Sequence, residues 1–419
     1  MPALPGAPPL KVAGPLAGLV VFHVLLTLLD FLGIPWHPVL LGALLLGLSG
    51  LAWRFLPRLP RGPRLLPSDL GWGWGWGDGI ALFVLAAFTL LALTSWIAIP
   101  DFFYHWGVKG ARFAAVRGTD YAFLARPWNW AIHPDYPNLL PELYAATALL
   151  FGKFSEPGMM LWSGVFFALL LAGARSVLRQ AGVERLSLQA GMALLALVLG
   201  AFGIGHRMAG AADWMIALAV MAAVPPLLRP PDPAGDLAVA FAAAFAAASK
   251  IEGVPLAGIL VLVQLVRHVA AERRVPWRAA LRLGIPVAAV VLPWLFQAFR
   301  HGLLQSTNSG VFEASRAALI GPALRETVTL ATWHGFGWAV LLPLPLLFSR
   351  KVRPVAAVTA LLLLFDLYVY FTAPVDTRFY VLSSFPRLMF QVIPAILVAA
   401  IVATEPSGKS PGKSERPAG

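Results

Sequence analysis

The 419-residue chain is 59% hydrophobic and only 12% charged, with a net charge of +12 and no cysteine. A soluble globular domain carries about 25% charged residues, so a mean hydropathy of +0.75 argues against that class. The missing thiols exclude disulfides, thiolate metal sites and cysteine nucleophiles. The positive charge lies in short loops, not in one basic module, which argues against a nucleic-acid partner and fits the bias that keeps Arg and Lys on the cytoplasmic side of a membrane.

Repeated apolar runs of 17–20 residues match the ~20 residues a helix needs to cross a bilayer. Backbone amides in lipid must bond internally, so the composition predicts an all-α polytopic transmembrane bundle with juxtamembrane helices. The first two spans are expected near 12–33 and 36–53, the first uncleaved, followed by a basic cytoplasmic loop, Arg54 to Arg64. The Gly-Trp repeat at 71–77 lacks the Lys-Ser/Thr and preceding strand of a phosphate loop, and reads as interfacial anchoring. A third span at about 79–98 runs outward to Pro100-Asp101. Keeping the Arg175, Arg179 and Arg185 cluster inside makes 101–156 one external segment, with helices at 101–116 and 138–152. Further spans are expected near 157–174, 186–204 and 208–226, then a hairpin at 237–249 and 252–267 with Lys250 and Glu252 at its tip. A span at 283–299, a second external loop at 300–334, and spans at 335–349, 355–374 and 386–404 complete about twelve, with both termini cytoplasmic. Residues 405–419 have the composition of a disordered tail. The division is thus 1–70 for two additional spans and the basic loop, then 71–404 for the main module.

Asp101, His105, Lys109, Arg112, Asp120, His133 and Asp135 crowd into about 35 residues of an otherwise greasy chain. Asp101 fits a helix N-cap, yet Asp101, His105 and Lys109 also recur at i, i+4 and i+8, one helix face. A carboxylate and an imidazole there pair a general base with nearby cations. His133-Pro134-Asp135-Tyr136-Pro137 reads as a rigid turn; Asp213, at the mouth of a span, needs a cavity or a partner. Arg387 follows Ser383-Ser384-Phe385 at the entrance to the last span, where a guanidinium is suited to clamp a phosphate. Asp366, deep in a span, is expected to pair within the bundle. The topology puts Asp101, Asp213, Lys250, 300–334 and Arg387 on the same outer side. No metalloprotease, nucleotide-loop or Gly-x-Ser-x-Gly motif occurs, so an enzyme built this way takes a membrane-borne activated substrate.

Tyr-His-Trp-x-x-Lys after Asp101, then His-Pro-Asp-Tyr-Pro, Gly-Ala-Ala-Asp at 210–213, Ser-Lys-Ile-Glu-Gly at 249–253 and Ser-Ser-Phe-Pro-Arg-Leu at 383–388 resemble the bacterial polytopic membrane glycosyltransferases of the GT-C type. That group is related to protein O-mannosyltransferases and lipid A aminoarabinose transferases. The resemblance spans roughly 79–404 and departs from the family pattern at Pro386 and Tyr380. It implies transfer of a sugar, with inversion, from a polyprenyl-phosphate carrier to a lipid, glycan or protein acceptor at the outer face of the bacterial inner membrane. Asp101 would be the catalytic base and Asp213 the second acidic group. His105, Lys109, Arg112, Tyr136, Lys250 and Arg387 would contact substrate or its phosphate, and a divalent metal is a possible cofactor. The competing expectation is a transporter or flippase for a lipid-linked or anionic substrate, with the same polar groups lining a pathway.

Overall fold

A computed structural model describes residues 10–55, 74–94, 96–202, 204–273, 276–304, 311–329, 335–372 and 375–405. The basic loop from Arg58 to Arg64, Gly71 to Gly73 of the Gly-Trp repeat, parts of the 300–334 loop and the tail beyond Glu405 lie outside those residues. The described chain is helical, with one isolated parallel bridge between Ala98 and Ala209. The helices are α1 (Leu10–Phe31), α2 (Pro38–Phe55), α3 (Trp76–Leu93), α4 (Gly107–Val116), α5 (Tyr121–Leu124), α6 (Leu139–Phe151), α7 (Glu156–Gln180) and α8 (Arg185–Leu197). There follow α9 (Asp213–Leu227), α10 (Pro233–Ser249), α11 (Gly253–Glu272), α12 (Trp277–Arg300), α13 (Ala317–Thr327), α14 (Pro343–Leu346), α15 (Arg353–Thr372) and α16 (Thr377–Thr404).

Among the described residues eight helices are long and apolar enough to cross a membrane: α1, α3, α7, α8 with its extension to Phe202, α11, α12, α15 and α16. The chain therefore reads as a multi-pass helical membrane protein. The other four expected spans coincide with shorter apolar stretches, Pro38–Gly47, Asp213–Leu227, Pro233–Ser249 and Phe336–Leu346. The stretch at 335–349 is not one helix: a 3-10 turn, Phe336–Leu341, precedes the single turn of α14. The last helix starts nine residues before the expected 386, because Asp376 caps it by accepting the Phe379 amide at 2.7 Å. Arg387 is thus inside a helix instead of at its entrance.

α9 explains why a short helix can be central. All fifteen of its residues are buried, the signature of a helix apolar on every side. At 1.5 Å per residue it spans ~22 Å, less than the ~30 Å hydrocarbon layer; walled by α7, α10 and α16, it has no lipid to match. α10 lies against α9, α11, α12 and α1, its run of alanines allowing close approach.

Two polar clamps hold the helix ends remote from Asp213. Asp78 of α3 accepts from Arg175 at 2.7 Å and Gln189 at 2.8 Å. Asp236, at the start of α10, takes His268 at 2.7 Å, Gln264 at 2.9 Å and Arg282 at 2.7 Å. Lys250 closes the other end of α10, fourteen residues on, or ~21 Å away.

Gly253 is where α10 and α11 cross most tightly: a Cβ there would lie 1.8 Å from the Ala246 carbonyl oxygen. Gly253→Ala must push the hairpin apart and shift Lys250; the expected loss is ~1–3 kcal/mol of overpacking strain. Thermal unfolding in detergent should show a Tm several degrees lower, and an unchanged Tm would refute the tight crossing.

Candidate functional site

The two acidic segments are tied together before any side chain is considered. Ile99 donates its amide to the Ala209 carbonyl at 3.0 Å, and Ala209 returns one to Ile97 at 3.2 Å. This short parallel bridge sets the strand-like residues before Asp101 beside the turn that leads to Asp213. Gly210 makes that turn possible. Its φ of +86° is in the left-handed region, and a Cβ would come within 2.8 Å of the Phe102 ring, so a side chain is excluded twice over. Its amide donates to Ser163 at 2.8 Å and its carbonyl accepts from Tyr144 at 3.2 Å. Trp214 next anchors the start of α9, its ring 4.7–5.1 Å from those of Phe88, Phe167 and Phe390 and its Nε1 donating to Met208.

Asp213 is thereby delivered to the core with no exposed surface. Its Oδ2 accepts from Arg387 at 2.8 Å, and its Oδ1 from Gln391 at 2.7 Å and Lys250 at 3.3 Å. Arg387 and Gln391 are one turn apart on α16 and reach it together. Lys250, an extended residue between α10 and α11, also meets Glu252 at 3.1 Å. The second Nη of Arg387 pairs with Asp101 at 2.8 Å, and here the surroundings change: the Asp101 side chain is 34% exposed. Asp101 makes no capping hydrogen bond; its carboxylate points to Arg387 instead. Asp101, Arg387, Asp213, Lys250 and Glu252 form one chain of alternating charge, gathered from four parts of the sequence.

Several buried polar atoms at and beside this chain have no partner among the described residues: Arg387 Nε, Gln391 Oε1, Glu252 Oε2 and Asp366 Oδ2. Buried groups are rarely left so. Among the described residues no partner meets that Asp366 oxygen, although a pairing within the bundle is expected from the sequence. Near it, Tyr370 bonds Ser384 at 3.0 Å and packs edge-on to Tyr380 at 5.5 Å.

The other candidates between residues 101 and 156 form a separate wall. The Phe102–Trp106 turn is π-helical, which shifts the helix phase by a residue and undoes the one-face spacing expected for Asp101, His105 and Lys109. His105 and Lys109 are buried and serve the 132–133 turn, His105 bonding the Ile132 carbonyl and Lys109 Nζ donating to that of His133 at 2.6 Å. His133 adopts left-handed φ of 49° and stacks on Tyr136 at 4.5 Å, with His105 edge-on to both. Burial lowers the ionisation of His105 well below its ordinary value and, with the Lys109 charge, lowers that of His133; it brings Lys109 down to about 7 and raises Asp135. The wall therefore loses its positive charge just as neutral pH is passed. Arg112 is elsewhere, half exposed, clamping Asp120 at 2.6 Å while Asp120 caps α5 through the Phe123 amide.

Among the described residues no group of three or more His, Cys, Asp or Glu converges to hold a metal ion. Sequence reasoning passed over Gln391, although its spacing four residues beyond Arg387 signals a shared face. It also passed over the Ala98–Ala209 bridge, for which the sequence holds no signal. Comparisons with family models, with curated proteins and with solved structures return no match.

Burial predicts unequal costs along the ion chain. Arg387→Ala takes one of two cations from a fully buried carboxylate and should cost ~3 kcal/mol; Asp101→Asn, at the exposed end, should cost ~1 kcal/mol or less. Equal Tm losses would contradict this gradient. Lys109 adds a pH test. Its value falls from 10.5 to about 7 on folding, so the folded state binds fewer protons between those values and stability rises with pH there. Wild type should therefore gain on Lys109→Met as pH rises from about 7 towards 10.5, with a flat difference below; a difference that falls across this window would overturn the assignment.

Proposed function

We propose that this chain is a membrane glycosyltransferase of the GT-C type, moving a sugar with inversion from a polyprenyl-phosphate carrier to an acceptor hydroxyl at the outer face of the bacterial inner membrane. One observation carries the reading: a single guanidinium bridges Asp101 and Asp213, joining an accessible acid to a buried one beside Lys250. In this reading about twelve segments cross or enter the membrane, with both termini on the side of the basic loops. The separation of the Asp236 clamp from Lys250 along α10 supports a site on the opposite side.

The roles follow from exposure. Asp101, the accessible carboxylate, accepts the proton of the acceptor hydroxyl as its oxygen bonds to the anomeric carbon. The bond from that carbon to the carrier phosphate breaks, and its electron pair leaves with the phosphate. Arg387 and Lys250 are the cations positioned to stabilise the charge that develops there. Asp213 holds both cations in place and is too buried to meet an acceptor. Gln391 is added to the orienting residues. His105, Lys109 and Tyr136 shape the wall beside the site, with Lys109 engaged by a carbonyl rather than a phosphate, and Arg112 acts at the surface. The transporter or flippase alternative draws on Asp366, a buried acid in a span-length helix with one oxygen unpartnered among the described residues.

Purified protein with a polyprenyl-phosphate-sugar donor is the test. Asp101→Asn should cut sugar transfer by ~10²–10⁴-fold with near-normal stability. Undiminished turnover would sink the base assignment. A wild-type protein that moves the lipid across proteoliposomes without transferring sugar would favour the transporter alternative.

A further inference from the structure

Beyond the ion chain the molecule contains a second polar enclosure that the proposed reaction does not use. It lies where α1, the segment before α6, the first turn of α6 and the last turns of α12 meet, and its volume of about 20 Å³ has room for one water-sized occupant. A sugar or nucleotide is too large. Its polar lining comprises His23, Thr27, Thr119, Tyr121, Asn138, Glu142 and Gln297.

The hydrogen bonds of these groups decide what they offer an occupant. Thr27 donates its hydroxyl to the His23 carbonyl at 2.9 Å, and Thr119 donates to Asp30 at 2.5 Å. Both protons are committed, so the two hydroxyls present lone pairs. Glu142 binds His23 Nδ1 through Oε2 at 2.6 Å, leaving its other oxygen. Gln297 and Asn138 are 4% and 8% exposed, and the side-chain oxygen of each is buried with no partner among the described residues. Unpaired buried amide oxygens are uncommon and ask for an occupant that can satisfy them. Asp30 is near enough for its charge to oppose that of Glu142. The surroundings are thus rich in oxygen acceptors, the ligand set of a hard cation. Only one lining carboxylate is available, and it is shared with His23; amides and hydroxyls complete the set. That balance suits a single positive charge better than a divalent ion, which gathers several carboxylates or waters.

We propose that this enclosure binds one dehydrated monovalent cation, with oxygens of Thr27, Thr119, Asn138, Glu142 and Gln297 as its ligands. Pro134 forms part of the same wall, and it belongs to the turn whose His133 senses the charges of Glu252 and Asp101. A cation here braces α1 and α12 against the back of that turn. The inference is independent of the proposed sugar transfer.

The test is thermal unfolding of the full chain in nanodiscs, with N-methylglucamine chloride replaced stepwise by NaCl or KCl at fixed ionic strength. In wild type, Tm should rise with the logarithm of the concentration of the preferred cation once its dissociation constant is exceeded. Gln297→Leu and Thr27→Val, which leave the His23–Glu142 pair in place, should each lose that rise. Thr27→Val keeps the side-chain shape and decides the matter alone if Gln297→Leu fails to fold. A wild-type Tm that is the same in all three salts, or a rise that survives Thr27→Val undiminished, overturns the site.

Discussion

An ionised carboxylate sealed from water sets the terms for this molecule. Moving such a group out of water costs several kcal/mol even after relaxation, and in a lipid-embedded bundle the alternatives are fewer still. Asp213 is tolerated because two cations and an amide converge on it from α16 and from the α10–α11 junction. That requirement fixes where those segments sit. The small residues follow from it: Gly210 lets the chain turn against Phe102, and Gly253 lets α11 start close enough to α10 to present Lys250. The short, fully buried α9 is the shaft that carries Asp213 into this position.

The ion chain is asymmetric, and its asymmetry is what makes it chemically useful. Asp213 is held by three donors and sees no solvent, whereas Asp101 has one charged partner and a third of its surface exposed. An anionic ligand entering from solvent therefore competes with Asp101, not Asp213, for Arg387. In the proposed transfer the carrier phosphate would draw that guanidinium away and leave Asp101 a freer acceptor for a hydroxyl proton. The Nε of Arg387, unpartnered among the described residues, would be a further donor for such a phosphate. The same guanidinium thus pairs with the accessible acid in the resting protein and, in the proposed transfer, would be the cation that the phosphate meets beside it.

Helical class and membrane character were legible in the sequence because they depend on composition and on runs of apolar residues, which no tertiary contact can reverse. Asp101, Asp213, Lys250 and Arg387 were legible as candidates for a related reason: charge in such a chain is scarce and needs a purpose. Their contacts were not. Nothing in the residues near 98 and 209 announces a bridge between them, since any pair of backbones can make it. The start of α16 is hidden in the sequence because Asp376 caps it in a stretch whose polarity reads as a loop. Nor does hydropathy separate a helix that spans lipid from one, like α9, that is apolar all round because protein surrounds it.

Lys109 shows how far a local irregularity can redirect a functional reading. With regular helical spacing it shares a face with Asp101, and its ammonium joins the anion-binding groups. One π-helical turn between them changes the phase, and the ammonium instead faces the His133 carbonyl inside a shell of aromatic rings. Burial brings its ionisation down to about 7, and its hydrogen bond to the His133 carbonyl steadies that turn. The cationic work is left to Arg387 and Lys250, which both pair with Asp213. A buried acid is thus what allows this site to present positive charge to a ligand within a membrane bundle.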